Sequence, residues 1–314
     1  MSTVIEARDL TRRFGHLVAV DHVGFEVKEG EVFGFLGPNG AGKTTTVRML
    51  TGVIDPTEGT ATIRGHDIRE EPLAAREHLG IVPEEANVYL DLSVWRNVML
   101  MAELHAVPRA QRVRAGEGLL GQLGLSDRRK QKARTLSKGL RQRLMLCSAL
   151  VSEPEILFLD EPTSGLDVQS ARLIRGIVSE MNRGGLTVFL TTHNMSEAEQ
   201  MCDRVAIISH GNIVAIDTPA QLRNAMESSQ YVTVSFEDGG PSEDQLKDLP
   251  GVDRLSVGED GFRLSTQHPG RVVTEVVKLA ERSGCAIGEV ATCKPTLEDV
   301  FVQLTGGVAK EGQQ

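Results

Sequence analysis

The sequence predicts an α/β fold, a mostly parallel sheet with helices around it, followed by a smaller α+β domain. Strand-like apolar runs such as EILFLD, TVFLTT and RVAIIS alternate with helix-like segments, which is the order expected of a parallel sheet. A glycine-rich loop joins one early strand to a helix, and a long charged stretch interrupts the alternation. Together these features predict one large domain with a helical insert.

The first domain is predicted to cover residues 1–224. Short β-branched and aromatic runs fill its first sixty or so residues, and helix-favouring sequence follows over about 84–150. Ser93 and Ser137 precede two of these amphipathic segments and are the expected helix starts. We interpret residues 84–150 as the helical insert of a sheet-based core that closes near Thr218.

The second domain is predicted to cover residues 225–314. Its strand and helix patterns alternate in an order that suggests a small βαββαβ unit ending in one more helix. The expected elements are a strand at 231–236, a helix at 243–249, two strands within 252–266, a helix at 270–283, a strand at 286–292 and a helix at 296–304.

Composition excludes several classes of protein. A formal net charge of −9 argues against a nucleic-acid binder, which would usually carry a basic face. There is no uninterrupted apolar run of about 18 residues, and the start MSTVIEARDL does not resemble a secretory signal. The 4 cysteines show no C-x-x-C spacing, so we expect reduced thiols, not disulfides or metal ligands. These features favour a cytoplasmic location.

The glycine-rich loop matches the phosphate-binding pattern G-x-x-x-x-G-K-[ST] and lies between an apolar strand and a helix, as that pattern requires. Backbone N–H groups and the helix N-terminus would surround phosphate oxygens, with a lysine charge and a threonine hydroxyl for Mg²⁺. The residues predicted to bind nucleotide here are Gly37, Pro38, Asn39, Gly40, Ala41, Gly42, Lys43, Thr44 and Thr45. By itself the loop leaves kinases, GTPases, helicases and transporter ATPases open.

Asp160 and Glu161 end the apolar strand EILFLD, the arrangement called Walker B. Asp160 is placed to hold Mg²⁺ together with Thr44, and Glu161 to polarise the water that attacks a phosphate. The alternative is a carboxylate pair that merely ends a strand. Because a phosphate-binding loop occurs in the same chain, the catalytic interpretation is favoured.

Three further segments, TLSKGLRQRL, SGLD and TTHNM, follow in the order seen in ABC transporter ATPases, which the chain resembles over most of residues 4–217. The resemblance implies ATP and Mg²⁺ as ligands. It assigns Ser137 and Gly139 to a signature that contacts the γ-phosphate of ATP on a second subunit. It likewise implies that Asp167 reaches across the interface between the two subunits. Glu161, His193 and Lys43 would be the catalytic residues, and His193 would contact the γ-phosphate as a sensor and positioning residue.

Some of these residues also have a plain structural interpretation. Ser137 alone would more often be an ordinary helix cap, and a histidine after a strand, such as His193, is usually structural. Phe14 resembles the aromatic residue that stacks on adenine in this family, but a core phenylalanine is the alternative. The charged residues beside it favour stacking.

The chain departs from the family pattern at three positions. Lys138 and Leu140 replace the usual glycine and glutamine of the signature. Glu84 stands where the family has a glutamine in the Q-loop, and its carboxylate is long enough to contact Mg²⁺, so we expect a metal contact there. The alternative for Glu84 is a solvated loop acid.

The resemblance also predicts partners. A single cassette needs a second ATPase subunit, most simply a homodimer, and separately encoded membrane-spanning permeases, so the protein would sit on the cytoplasmic face of the cell membrane and bind no nucleic acid. The end CKPTLEDVFVQLTG resembles the extension of ABC-2-type exporters for drugs, polysaccharides or sodium, which favours export. Thr296-x-x-Asp299 within it is a helix start, serving stability, regulation or dimerisation.

Two rival classes fit less well. Soluble ABC ATPases of translation usually join two cassettes, and those of DNA repair carry long coiled-coil insertions, neither of which is evident in this sequence. An unrelated P-loop kinase or GTPase would not be expected to contain SGLD, TTHNM and LSKG in this order.

Overall fold

The computed structural model describes residues 2–85, 87–225, 230–237, 239–258 and 261–305. The chain divides into two compact units, Met1–Thr218 and Pro219–Gln314. The sequence analysis placed the boundary after residue 224, which is too late. The short helix Pro219–Asn224 belongs to the second unit, where it packs against the helix Leu297–Leu304. The predicted part from 306 to 314 lies outside the described residues.

The first unit contains ten strands and seven α-helices among its described residues. In chain order they are β1 (Thr3–Phe14), β2 (Leu17–Lys28), β3 (Val32–Leu36), α1 (Lys43–Leu50), β4 (Glu58–Ile63), β5 (His66–Asp67), α2 (Pro72–Glu77), β6 (Leu79–Val82), α3 (Val94–Leu104), α4 (Arg109–Gln122), α5 (Lys138–Leu150), β7 (Ile156–Asp160), α6 (Val168–Arg183), β8 (Thr187–Thr192), α7 (Met195–Met201), β9 (Arg204–Ser209) and β10 (Asn212–Asp217).

Two sheets form the core of this unit. One is antiparallel, in the order β2-β1-β4-β5. The other has the order β10-β9-β3-β8-β7-β6 and is parallel except for β10, which pairs antiparallel with β9. The predicted α/β fold with a mixed sheet is therefore confirmed.

A cluster of phenylalanines fastens the two sheets together. Phe25 of the antiparallel sheet stacks on Phe33 of the parallel sheet, with ring centroids 5.4 Å apart. Phe189 in β8 contacts both Phe33 at 5.8 Å and Phe158 at 5.1 Å. Burying each such side chain contributes roughly 1.5–3 kcal/mol. This packing fixes the positions of β3, β7 and β8. The C-terminal ends of these strands lead into the candidate active site described below.

The helical insert contains α3, α4 and α5. Both expected starts are observed, because the Ser93 hydroxyl accepts a hydrogen bond from the N–H of Arg96 and the Ser137 hydroxyl accepts one from Leu140. Such caps satisfy N–H groups that the helix itself leaves unpaired. Helix α3 packs against both α4 and α5.

The second unit begins with α8 (Pro219–Asn224) and continues with β11 (Gln230–Phe236), α9 (Glu243–Lys247), β12 (Arg254–Gly258), β13 (Gly261–Thr266), α10 (Pro269–Ser283), β14 (Ile287–Cys293) and α11 (Leu297–Leu304). From β11 to β14 the described elements follow the order βαββαβ. The sheet is antiparallel, in the order β12-β13-β11-β14. Its core contains Val232, Val234, Leu246, Leu264, Val272 and Val276.

Helix α11 begins with a capping box. The Thr296 hydroxyl accepts from the N–H of Asp299, and the Asp299 carboxylate accepts from the N–H of Thr296. Asp299 also pairs with Arg263 at 3.0 Å, and the Arg263 guanidinium lies 3.8 Å from the ring centre of Tyr231. One carboxylate thus caps the helix and ties it to β13.

None of the described helices is both long enough and apolar enough to span a bilayer.

Candidate active site

The phosphate-binding loop joins the buried strand β3 to α1, as predicted. Gly42, the last residue before the helix, has φ 110, and a Cβ there would lie 2.6 Å from the carbonyl oxygen of Ala19. Glycine is required here because it adopts a positive φ without strain and has no Cβ to collide with that oxygen. No side chain caps α1, so the N–H groups of its first turn are available to an anion, where the helix dipole also favours negative charge.

Lys43 is fixed against the loop that it follows. Its Nζ donates to the carbonyl oxygens of Gly37 at 2.7 Å and Pro38 at 3.3 Å. The same ammonium lies 3.2 Å from Oε1 of Glu161, and only 6% and 7% of the two side chains are exposed. The cation is thus held beside the predicted base.

Asp160, at the end of β7, lies beside Thr44, so two of the three predicted magnesium ligands come together. Its Oδ1 accepts from the Thr191 hydroxyl at 2.5 Å and from the Thr44 hydroxyl at 3.5 Å, the latter a long and weak bond. Mg²⁺ prefers oxygen ligands, with one or two carboxylates besides water and phosphate oxygens. The donor set of Thr44 and Asp160 fits that requirement.

Glu161 and His193 meet above the end of the parallel sheet. The Nδ1 of His193 lies 2.8 Å from Oε2 of Glu161. The backbone of Glu161 is left-handed, with φ 50, a conformation that costs a non-glycine residue about 1–3 kcal/mol and is common in active sites. Its N–H donates to both the carbonyl and the hydroxyl of Thr191, which hold it in that conformation. The carboxylate is therefore oriented by Lys43 on one side and His193 on the other.

The signature residues lie at the start of α5, against the start of α6. A Cβ on Gly139 would come within 2.6 Å of the Ser170 hydroxyl, so the approach of the two helices requires glycine there. Asp167 caps α6, accepting from the N–H of Ser170 at 2.8 Å and from its hydroxyl at 2.7 Å. These hydrogen bonds, that of the hydroxyl first, lower the pKa of the Asp167 carboxyl. Ser137 and Asp167 are exposed and Gly139 is buried against Ser170, and we call these three residues the signature face.

The signature face and the phosphate-binding loop are not joined to each other. Within the described residues, no hydrogen bond or ion pair links Ser137 or Gly139 to the segment from Gly37 to Thr45. The predicted binding residues therefore form two groups in one chain.

Phe14 closes β1 with 46% of its surface exposed, so it is not a core residue. The Arg12 guanidinium lies 4.7 Å from the ring centre, and Arg12 is in turn held by a 2.7 Å hydrogen bond to the carbonyl oxygen of Asp55. An aromatic ring that is exposed and held in this way is suited to stacking. Stacking on adenine stays a prediction.

Glu84 is exposed and lines a groove of about 550 Å³ that Thr44 and Asp160 also line. The groove lies between α1 and β6 on one side and the helical insert on the other. Glu84 thus belongs to the same space as the predicted metal ligands, and its contact with Mg²⁺ stays a prediction.

Sequence reasoning missed Thr191 and Glu197. Thr191 joins the Asp160 carboxylate to the backbone of Glu161, and Glu197 is a buried carboxylate in α7. The available signal was the pair Thr191-Thr192 at the end of a strand. Two hydroxyls at the end of a buried strand suggest hydrogen bonding, but the pattern does not identify the partners.

The chain is similar to known proteins both in sequence and in fold. Residues 20–164 match the family model described as ABC transporter, and residues 218–305 match the C-terminal domain of the ATP-binding protein DrrA1-3-like family. The chain is 32% identical to the linearmycin resistance ATP-binding protein LnrL of Bacillus subtilis (strain 168), over 98% of this chain and 100% of that protein. It is 39% identical to the daunorubicin/doxorubicin resistance ATP-binding protein DrrA of Streptomyces peucetius, over 98% and 94%.

Among solved structures, the fold is similar to that of a dimeric ATP-binding cassette in a post-hydrolysis state, bound to ADP and Pi. The TM-score is 0.62 at 25% identity, covering 68% of this chain and 98% of that one.

Proposed function

The chain belongs to the ABC transporter family of ATP-binding proteins, and from that premise we propose how its residues hydrolyse ATP to power export. The observation that carries the proposal is the meeting of Lys43, Asp160, Glu161 and His193 beside the phosphate-binding loop. Phosphoryl transfer depends mainly on positioning and charge neutralisation. Lys43 holds the γ-phosphate, and Glu161 orients the attacking water in line with it. His193 holds the Glu161 carboxylate and contacts the same phosphate.

Thr44 and Asp160 would hold Mg²⁺, with Glu84 as a further oxygen ligand from the groove. The ion would neutralise charge on the phosphate oxygens. Thr191 keeps the Asp160 carboxylate oriented by its 2.5 Å hydrogen bond. Phe14 stacks on the adenine base, and the residues from Gly37 to Thr45 surround the phosphates.

A second ATPase subunit completes each site. The support is that, among the described residues, no hydrogen bond or ion pair joins Ser137 or Gly139 to the phosphate-binding loop of the same chain, although each region includes a helix N-terminus, which favours an anion. The similar solved structure is dimeric. We propose that Ser137, Gly139 and Asp167 act on ATP held by the other copy, most simply in a homodimer.

The groove between the sheet core and the helical insert is the proposed docking site of a membrane-spanning permease. Its wall presents half-exposed apolar side chains, including Val53 and Tyr89. The buried Asn97 amide fixes that wall, because it accepts from the N–H of Tyr89 at 2.8 Å and donates to its carbonyl oxygen at 3.1 Å. Since Thr44 and Asp160 line the same groove, docking and the state of the nucleotide site are coupled.

This docking places the protein on the cytoplasmic face of the cell membrane. The names of LnrL and DrrA associate those relatives with resistance to linearmycin and to daunorubicin/doxorubicin, which supports export of a small molecule as the transported class. The second unit is proposed to be an accessory domain that modulates dimerisation.

The test of the catalytic assignment is Glu161→Gln. This change keeps the shape of the side chain but removes its charge, so ATP binding should persist while hydrolysis falls by about 10²-fold or more. Binding is measured by equilibrium titration of a fluorescent ATP analogue, and hydrolysis by phosphate release. Glu153→Gln, an exposed acid just before β7, is the matched control and should hydrolyse at the parental rate. If Glu161→Gln also keeps the parental rate, Glu161 is not the base.

A further inference from the structure

Glu197, in α7, is a carboxylate with 0% of its surface exposed. Its Oε1 accepts a hydrogen bond from the hydroxyl of Thr163 at 2.8 Å, and its Oε2 accepts one from the hydroxyl of Thr192 at 2.9 Å. Both oxygens of one buried acid are therefore used to hold two threonines that lie far apart in sequence. Nothing in the proposed mechanism so far uses this group.

The two threonines belong to the two segments that carry catalytic groups. Thr163 comes two residues after Glu161, and Thr192 comes directly before His193. The backbone N–H of Asn194 also donates to the Thr192 hydroxyl at 3.0 Å, while the Asn194 side chain caps α7 by accepting from the N–H of Glu197. The hydrogen bonds of Glu197 thus connect the segment after the proposed base with the segment of the proposed sensor.

A buried carboxylate is a costly way to stabilise a protein. Removing it from water is unfavourable, and an apolar side chain of similar volume often serves stability as well or better. Within the described residues, no lysine, arginine or histidine lies within ion-pair distance of Glu197. What an acid provides here and an apolar residue does not is two directional acceptors, one for each segment.

We propose that Glu197 is a positioning residue for hydrolysis, which holds Glu161 and His193 at the separation that their chemistry requires. This inference rests on the roles proposed above for those two residues. Glu161 and His193 also contact each other directly, with 2.8 Å between His193 Nδ1 and Glu161 Oε2. Glu197 makes a second connection between the same segments, through Thr163 and Thr192. The two connections restrain the segments that carry the two catalytic side chains relative to each other.

The test is Glu197→Ala in the full chain, together with Thr163→Val, which removes one hydroxyl at nearly constant volume. Both should lower kcat for ATP hydrolysis, Glu197→Ala by about 10- to 100-fold, because small displacements of catalytic groups have effects of that size. The affinity for a fluorescent ATP analogue should stay within about two-fold of the parent, because neither residue contacts nucleotide. Glu197→Gln keeps one acceptor oxygen and should recover part of the loss.

The double variant Thr163→Val/Glu197→Ala separates positioning from general loss of stability. If the two residues act through one hydrogen bond, the double variant should lose no more kcat than Glu197→Ala alone. Thr187→Val is the matched control, since Thr187 is a buried threonine at the other end of β8 whose hydroxyl accepts from the N–H of Gly30. Thr187→Val should lower Tm about as much as Thr163→Val does, and it should leave kcat per folded molecule unchanged.

Parental kcat in Glu197→Ala would overturn the proposal, as would a loss of kcat that only follows the loss of folded protein. Additive losses in the double variant would overturn it as well. If Glu197→Ala does not fold, Thr163→Val and Thr192→Val carry the same test. Parallel assay of Glu161→Gln keeps the outcomes apart, because a stalled Glu161→Gln with a normal Glu197→Ala contradicts only the positioning role.

Discussion

The phosphate-binding loop with its carboxylates and the signature face are both assigned to the same reaction, yet they differ in how their polar groups are satisfied. Around the loop, Lys43, Asp160 and Glu161 are buried and bonded to one another, to threonine hydroxyls or to the backbone. On the signature face, Ser137 and Asp167 are exposed and only cap their own helices. One region is preorganised within the chain, and the other is the region that we propose acts on ATP held by a second subunit.

That difference has an energetic basis. Buried polar groups must find partners inside the protein, so their geometry is strongly determined before any ligand arrives. The exposed Ser137 hydroxyl is satisfied locally as an acceptor and still has its O–H to donate to an anion. Variants in the two regions should therefore fail in different ways.

The largest effect is expected for Lys43→Ala, in the preorganised region. The change removes the cation that would face the γ-phosphate and leaves the buried Glu161 carboxylate with one contact fewer. We expect hydrolysis to fall by about 10²- to 10³-fold, with weaker ATP binding in the isolated subunit. Phosphate release and titration of a fluorescent ATP analogue measure the two quantities.

Lys28→Ala is the control for that experiment, because Lys28 pairs with Glu26 at the protein surface. It should change neither quantity. An unchanged rate in Lys43→Ala would show that the buried cation is structural, and the contrast between the two regions would lose its functional meaning.

A smaller effect is expected for Gly139→Ala, on the signature face. The new Cβ would lie 2.6 Å from the Ser170 hydroxyl, so the start of α5 must shift. Hydrolysis should fall by about 10- to 100-fold, since a displacement of this kind moves the anion site, while ATP binding to the isolated subunit persists. Adding Ser170→Gly removes the obstructing side chain and should restore part of the activity.

Mixing the two impaired variants sharpens the comparison further. In a mixed dimer of Lys43→Ala and Gly139→Ala subunits, one site combines an intact loop with an intact signature face. The mixture should therefore hydrolyse ATP faster than either variant alone. If mixing restores nothing although mixed dimers form, each chain does not complete the site of the other.

The smallest effect is expected for Phe14→Ala. Loss of base stacking is worth about 1–3 kcal/mol, so the KM for ATP should rise while kcat changes little. Phe14→Tyr keeps an aromatic face and should bind ATP as the parent does. Equal affinity in Phe14→Ala and the parent would show that the exposed ring does not contact the base.

Local features of the molecule could be predicted from sequence with good accuracy. The helix starts at Ser93 and Ser137 and the strand-loop-helix setting of Gly42 and Lys43 were all found where expected. Each depends on residues within one or two turns of each other, so a short pattern contains the whole cause. The fold class followed in the same way from the alternation of apolar runs.

Short local patterns did not predict the position of the boundary between the two units. Thr218 and Pro219 were noticed as the end of the core, but the helix Pro219–Asn224 was assigned to the wrong unit. Its place is decided by packing against α11, roughly eighty residues away, and no local pattern contains that contact.

By itself, the sequence determined that this chain holds nucleotide phosphates and that Lys43, Asp160, Glu161 and His193 are the residues to examine. Only the tertiary structure decided how they are arranged: that Thr191 bonds to both Asp160 and Glu161, and that Glu197 joins two segments through threonines that sequence analysis passed over. The physical reason is that directional hydrogen bonds between distant segments depend on how the strands align, whereas helix caps and glycine loops depend only on their neighbours.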